Sequence, residues 1–266
     1  MKKNIFILCI VCFFLASCNT DEQSQNVFNI DDEVIPTQTT EATSDASFVP
    51  TQTPEKQLPL SGRIICIDAG HGLSSDTSME PIAPGSSETK RAFVSGTSGK
   101  NQTEEQLNLR LALKLESLLI TYGAQVHMTR TNHEATLSNI GRAEFANNLN
   151  ADISVKIHAD GGNASATGVS MLVPSNKNLN NPELCIISKQ AGELILNSVI
   201  EETGAKNRGI VERSDMTGFN WSKVPVILIE TGFMTNPQED ALLETDEYCN
   251  KIITGIANGL IAFFNN

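Results

Sequence analysis

Residues 64–72 read IICIDAGHG. Ile64 to Ile67 are apolar and β-favouring, the composition of a short buried strand. Asp68 ends that run. The glycines after it free the backbone to turn and leave His71 at the mouth of the strand. Two later stretches have the same form: DISVKIHAD (152–160) carries an apolar run to His158, and VPVILIETG (224–232) carries one to Glu230. In open α/β sheets the ligand site lies outside the carboxyl ends of the strands. If these three strands are parallel neighbours, their terminal side chains converge on one edge.

The segments between them fit that fold class. TEEQLNLRLALKLESLLITYG (103–123) repeats Leu107, Leu111, Leu115 and Leu118 at helical spacing. Thr103 stands at its N-cap position with Gln106 three residues on, and Gly123 supplies the stop. AQVHMT (124–129) alternates like a strand, and TLSNIGRAEFANNLN (136–150) reads as a helix. GVSMLVP (168–174) is a further strand, Pro182 to Thr203 a long helix, and Cys249 to Phe264 a closing helix. Alternating strands and helices predict a single α/β domain over 61–266, with a mostly parallel central sheet flanked by helices. Leu73 to Thr103 interrupts the pattern with a long stretch rich in Ser, Thr, Gly and Pro and without periodicity.

The first 60 residues are of another kind. MKKNIFILCIVCFFLASC opens with two lysines and an apolar run, Ile5 to Ala16, too short to span a bilayer and suited to a secretory signal. Leu15-Ala16-Ser17-Cys18 resembles the bacterial lipobox. Residues 1–17 are therefore expected to be a lipoprotein signal peptide, with Cys18 lipidated and anchored in the membrane. Residues 19–60, rich in Thr, Gln, Ser, Asp, Glu and Pro, lack apolar periodicity and read with Cys18 as a disordered tether (18–60) that holds the domain roughly 35 Å or more from its anchor. The expected location is extracytoplasmic and membrane-anchored.

The chain carries 19 basic and 31 acidic residues, a net charge of −12 that becomes −14 once Lys2 and Lys3 leave with the signal. That balance argues against nucleic acid as a partner. Beyond the signal and Cys18 remain Cys66, Cys185 and Cys249, odd in number and in apolar surroundings, which read as buried free thiols rather than a disulfide framework.

Two imidazoles at one sheet edge suggest a metal, and zinc is their commonest partner. A catalytic zinc takes three protein ligands and keeps a fourth position for water. Glu104 and Glu105, at the start of the Leu-rich helix, compete for the third place. Glu230 is then free to take a proton from the activated water. Each residue also has a structural reading. A strand-end histidine serves turns, and His127 and His133 are left with such roles. Glu104 suits the helix dipole, and Glu230 pairs with an arginine such as Arg130 or Arg208.

The stretches IDAGHG, TEEQLNL, VHMTRT, GRAEFANNLNADISVKIHAD, RGIVERS and VPVILIETGFMTNPQED together resemble the zinc-dependent N-acetylmuramoyl-L-alanine amidases of the amidase-3 type. They occur in the family's order and cover residues 63 to 264. The resemblance implies one zinc, bound by His71, Glu104 and His158, with Glu230 as the catalytic glutamate. It implies peptidoglycan as substrate, cut between N-acetylmuramic acid and L-alanine; a need for a protein activator is left open. Arg208 and Asn220 are candidate substrate contacts, and Asp68 a candidate to orient a ligand imidazole. Two departures stand out: Lys156 replaces the family's usual serine two residues before the second histidine, with Asp160 for the usual asparagine, and the 73–103 segment is long. A wall-binding relative without catalysis, or a zinc peptidase acting within the stem peptide, are the rival readings.

Overall fold

In strand β1 (Ile64–Ala69), Ile65, Ile67 and Ala69 face one way and Cys66 and Asp68 the other, the period of two that every strand imposes. The computed structural model containing it describes residues 57–266; the signal peptide, Cys18 and residues 19–56 of the tether lie outside the described residues. Leu60, assigned by composition to the tether, is fully buried in the core, and its N–H donates to the Tyr122 carbonyl at 2.9 Å.

β1 pairs in parallel with β4 (Gln125–Met128) on one side and β5 (Ile153–Asp160) on the other. β5 pairs in parallel with β8 (Val226–Phe233), so the three chemistry-bearing strands are adjacent and run the same way. The sheet is completed by β6 (Val169–Pro174), antiparallel to β8, and β7 (Asn207–Arg213), parallel to β6, in the order β4-β1-β5-β8-β6-β7. Only residues 161–168 separate β5 from β6. A link that short reverses the chain and leaves no room for a parallel crossover.

The odd-numbered face of β1, β5, β6 and β8 packs on three long helices, α1 (Glu104–Thr121), α4 (Pro182–Thr203) and α7 (Asp246–Phe264). In α1 the buried seam is Leu107, Leu111, Leu115 and Leu119; Leu118, expected to be its fourth member, is only partly buried. The helix opens as expected, with the Thr103 N–H donating to the Gln106 side chain at 3.0 Å, and ends at Gly123 (φ +91°). α7 begins three residues earlier than expected because Thr245 caps it, its hydroxyl accepting from the Tyr248 N–H. α4 and α7 approach closely: a Cβ on Gly255 or Gly259 would lie 2.9 Å from the backbone nitrogen of Val199 or Ile195.

The opposite face carries less. There sit α2 (Asn139–Asn148) and the short α5 (Thr217–Asn220). Apolar contact on this side is confined to small clusters around Cys66, Ala146 and Val224, and around Leu172, Phe219 and Leu228. The rest is roofed by the 73–103 segment, in which the sequence showed no periodicity. It forms a hairpin of β2 (Met79–Pro81) and β3 (Thr89–Arg91), tied down by Asn220 Nδ2 donating to the Ile82 carbonyl at 2.9 Å and Trp221 Nε1 to Pro81 at 3.1 Å. Two further short helices, α3 (Asn176–Leu179) and α6 (Pro237–Leu243), complete the described chain. Among the described residues no helix is long and apolar enough to cross a membrane. Cys66 and Cys249 are buried free thiols as expected, whereas Cys185 is only partly buried.

Candidate metal centre and active-site cleft

Between the sheet's even-numbered face and the hairpin roof lies a cleft of about 560 Å³. His71, Glu104, His158 and Glu230 all line it. His71 leaves β1 in a left-handed backbone conformation (φ 59°), which costs energy for a residue with a Cβ. Two arginines hold the turn. Arg142 donates to the carbonyls of Ala69 and His71, and Arg130 to those of Ala69, Gly70 and Glu105. Arg130 therefore has no part in pairing Glu230. Gly70 serves less as a hinge than as space, since a Cβ there would overlap the His158 ring (2.7 Å from Cδ2).

Glu104, the first residue of α1, joins the two imidazoles. Its Oε1 lies 3.0 Å from His71 Nε2 and 3.0 Å from His158 Nδ1, and those nitrogens are 3.2 Å apart. Its other oxygen accepts the Thr97 N–H at 2.9 Å. Burial opposes the charge on Glu104, but the adjoining His158 and His71 hold its carboxyl well below the usual range. Glu105 points elsewhere, to Thr103 and to His133 at 3.0 Å.

The donor set fits a metal ion. His71 Nδ1 donates to the Val94 carbonyl at 2.7 Å, which puts the ring's proton there and leaves a lone pair at Nε2. Nε2 is thus the nitrogen turned towards Glu104 Oε1 and His158 Nδ1, where a cation would take its lone pair. Two nitrogens and one oxygen with edges of 3.0–3.2 Å also lie close to the edge of about 3.3 Å that bonds of 2.0–2.1 Å subtend in a tetrahedron.

Glu230 stands opposite His158 in the β5–β8 register and on the same face. Its Oε2 is buried without a hydrogen-bond partner. Burial, reinforced by the negative charges of Glu104 and Asp160, holds its carboxyl well above the usual carboxylate range, with Arg213 opposing. Asp68, expected to orient an imidazole, does otherwise. It accepts from Thr129 (2.6 Å), Arg142 (2.6 Å) and Lys156, forming a buried ion cluster beneath the cleft. The charge of Lys156 is thereby spent on Asp68.

Two expected substrate contacts are not among the residues that line the cleft. Arg208 lies over the Phe233 ring (4.8 Å to its centroid) and donates to Thr167, and Asn220 is buried under the hairpin. Arg213, near the other end of RGIVERS, does line the cleft: it stands beside Pro174 in the β6–β7 register and pairs with Asp215 at 2.8 Å.

Comparison with known proteins adds to this geometry. Residues 65–262 match the amidase-3 family model, described as N-acetylmuramoyl-L-alanine amidase. The chain is 30% identical over 211 residues to N-acetylmuramoyl-L-alanine amidase Rv3717 of Mycobacterium tuberculosis, covering 76% of this chain and 88% of that one. It is 26% identical to amidase AmiA of Salmonella typhimurium, covering 80% of each. The crystal structure of the amidase Ami1 from Mycobacterium smegmatis superposes with a TM-score of 0.71 at 28% identity, over 77% of this chain and 98% of that one.

Proposed function

Because the chain belongs to the amidase-3 family of N-acetylmuramoyl-L-alanine amidases, we propose that it is a zinc-dependent cell-wall hydrolase. It cuts the amide between N-acetylmuramic acid and L-alanine of peptidoglycan. The observation that carries the reading is the convergence of His71 Nε2, Glu104 Oε1 and His158 Nδ1, with Glu230 in register on the next strand.

His71, Glu104 and His158 hold the zinc, which when bound polarises the amide carbonyl and lowers the pKa of water. Glu230 accepts the water proton and returns it to the leaving amine nitrogen of L-alanine. Its burial favours the acceptance, since a carboxylate poorly solvated as an anion binds a proton readily. Asp160 and Arg213 flank the base with opposite charges. The lipobox Leu15–Cys18 supports an extracytoplasmic lipoprotein, its domain carried on the segment that follows Cys18.

Chelated protein should release no stem peptide from purified peptidoglycan, and zinc should restore release. Mass analysis should find peptides with a new N-terminal alanine and muramic acid without peptide; cuts inside the stem peptide would overturn the assigned bond. Glu230→Gln should keep its zinc and lose roughly 10²- to 10⁴-fold in turnover. Full turnover by that variant would remove Glu230 as the base.

A further inference from the structure

The 73–103 segment does more than roof the cleft. We propose that the backbone of Val94–Thr97 is the positioning element of the metal site, holding His71 and Glu104 by the atoms they turn away from the ion. The inference rests on the zinc reading above and assigns a role to residues outside the ligand set.

Three contacts carry it. The Val94 carbonyl accepts from His71 Nδ1 at 2.7 Å, which sets both the tautomer and the plane of the ring. The Thr97 N–H donates to Glu104 Oε2 at 2.9 Å, leaving Oε1 as the oxygen directed at the imidazoles. Between them lies Gly96, where a Cβ would stand 2.8 Å from both Glu104 Cβ and His71 Cδ2. The peptide is thus pressed against two of the three ligands, and glycine is what lets it come so close. Metal affinity commonly depends on such outer contacts, because they remove orientations in which a ligand misses the ion.

The element is itself anchored. Thr97 and Glu104 bond reciprocally, the Glu104 N–H donating to the Thr97 carbonyl at 3.0 Å. The loop between them is fixed at its far end by Asp240 of α6, whose Oδ2 accepts from the Lys100 N–H at 2.7 Å. On the other side Thr97 packs against Gly161, where a Cβ would lie 2.9 Å from Thr97 Cβ. The chain from α6 to the ligands therefore runs through short contacts at every step.

The test is zinc affinity by competition with a chromophoric chelator, together with the visible spectrum of the cobalt-substituted protein. Gly96→Ala should weaken zinc roughly 10- to 100-fold and alter the cobalt spectrum, while the metal-free protein unfolds at the wild-type urea midpoint. Asp240→Ala, which adds no atom near the ligands, should shift affinity in the same direction and keeps the test open should Gly96→Ala fail to fold. Glu88→Gln, on the hairpin away from the site, should match wild type. Zinc binding by both Gly96→Ala and Asp240→Ala at wild-type affinity with an unaltered cobalt spectrum would overturn the proposal and leave the zinc reading standing. A wild-type protein that binds no zinc would remove both.

Discussion

Asp68 shows how one buried side chain acquires a role its neighbours in sequence do not suggest. It ends the first strand, yet its partners Arg142 and Lys156 lie 74 and 88 residues away. Burial alone would raise its pKa, but the two cations and the Thr129 hydroxyl hold it well below the ordinary range. Its folded-state pKa therefore lies below its unfolded value of about 3.9, so its ion pairs stabilise the fold above that pH and are lost as pH falls through the folded value. Removing one member of a buried ion cluster costs about 3–5 kcal/mol. Asp68→Asn should thus be less stable at pH 7 by about that amount, and urea titrations should show the gap narrowing by about 1 kcal/mol by pH 3. A gap of constant size would contradict the ion cluster. The proposed ligands and base were legible in the sequence for the opposite reason: His71, His158 and Glu230 follow apolar strand runs and Glu104 opens a helix, positions set by local pattern. Even so, spacing alone left Glu104 and Glu105 undivided, and what separates them is tertiary, His133 taking one and the two ligand imidazoles the other.

At the scale of elements, periodicity revealed what is buried and regular and missed what is short or exposed, including β7, seven residues on the sheet edge of which none is fully buried. The three long helices and the strands β1, β4, β5, β6 and β8 carry apolar repeats that burial demands. β2 and β3 have three residues each, and Met79–Pro81 and Thr89–Arg91 bury almost nothing that a pattern could record. The hairpin exists because outside groups hold it. Asn220 is the main tie, its amide donating to the carbonyls of both Ile82 and Ser214 at 2.9 Å. Asn220→Ala leaves those buried carbonyls short of a donor, at about 1–3 kcal/mol. Amide exchange across residues 79–91 should then speed up roughly ten-fold or more, while zinc affinity stays at the wild-type value because Val94–Thr97 is anchored separately on Asp240. Unchanged protection in the hairpin would mean that Trp221 and the Lys90–Asp215 pair suffice to hold it.

At the scale of the whole molecule, the proposed function separates a domain that carries the chemistry from a leader that decides where it acts. Within the domain the division is between faces. Three long helices fill one side of the sheet, whereas the thin cover on the other leaves the space in which Asp68, Lys156, His158 and Glu230 line up on alternate residues. The proposed ligands and base all fall between residues 71 and 230, within the described domain. Location and catalysis should therefore separate cleanly. If Leu15-Ala16-Ser17-Cys18 is processed as a lipobox, the thiol of Cys18 is the atom that takes the lipid, and serine at that position cannot form the thioether. Cells fed an alkyne-tagged fatty acid should label the wild-type protein and leave Cys18→Ser unlabelled. The two should release stem peptide from purified peptidoglycan at the same rate. In cells the variant should lose turnover close to the membrane, because a lipid-anchored domain stays tethered there and the free one does not. Label on the variant, or wild-type protein recovered only from cytosol, would remove the anchor; a slower variant on purified substrate would show that the leader acts on the site after all.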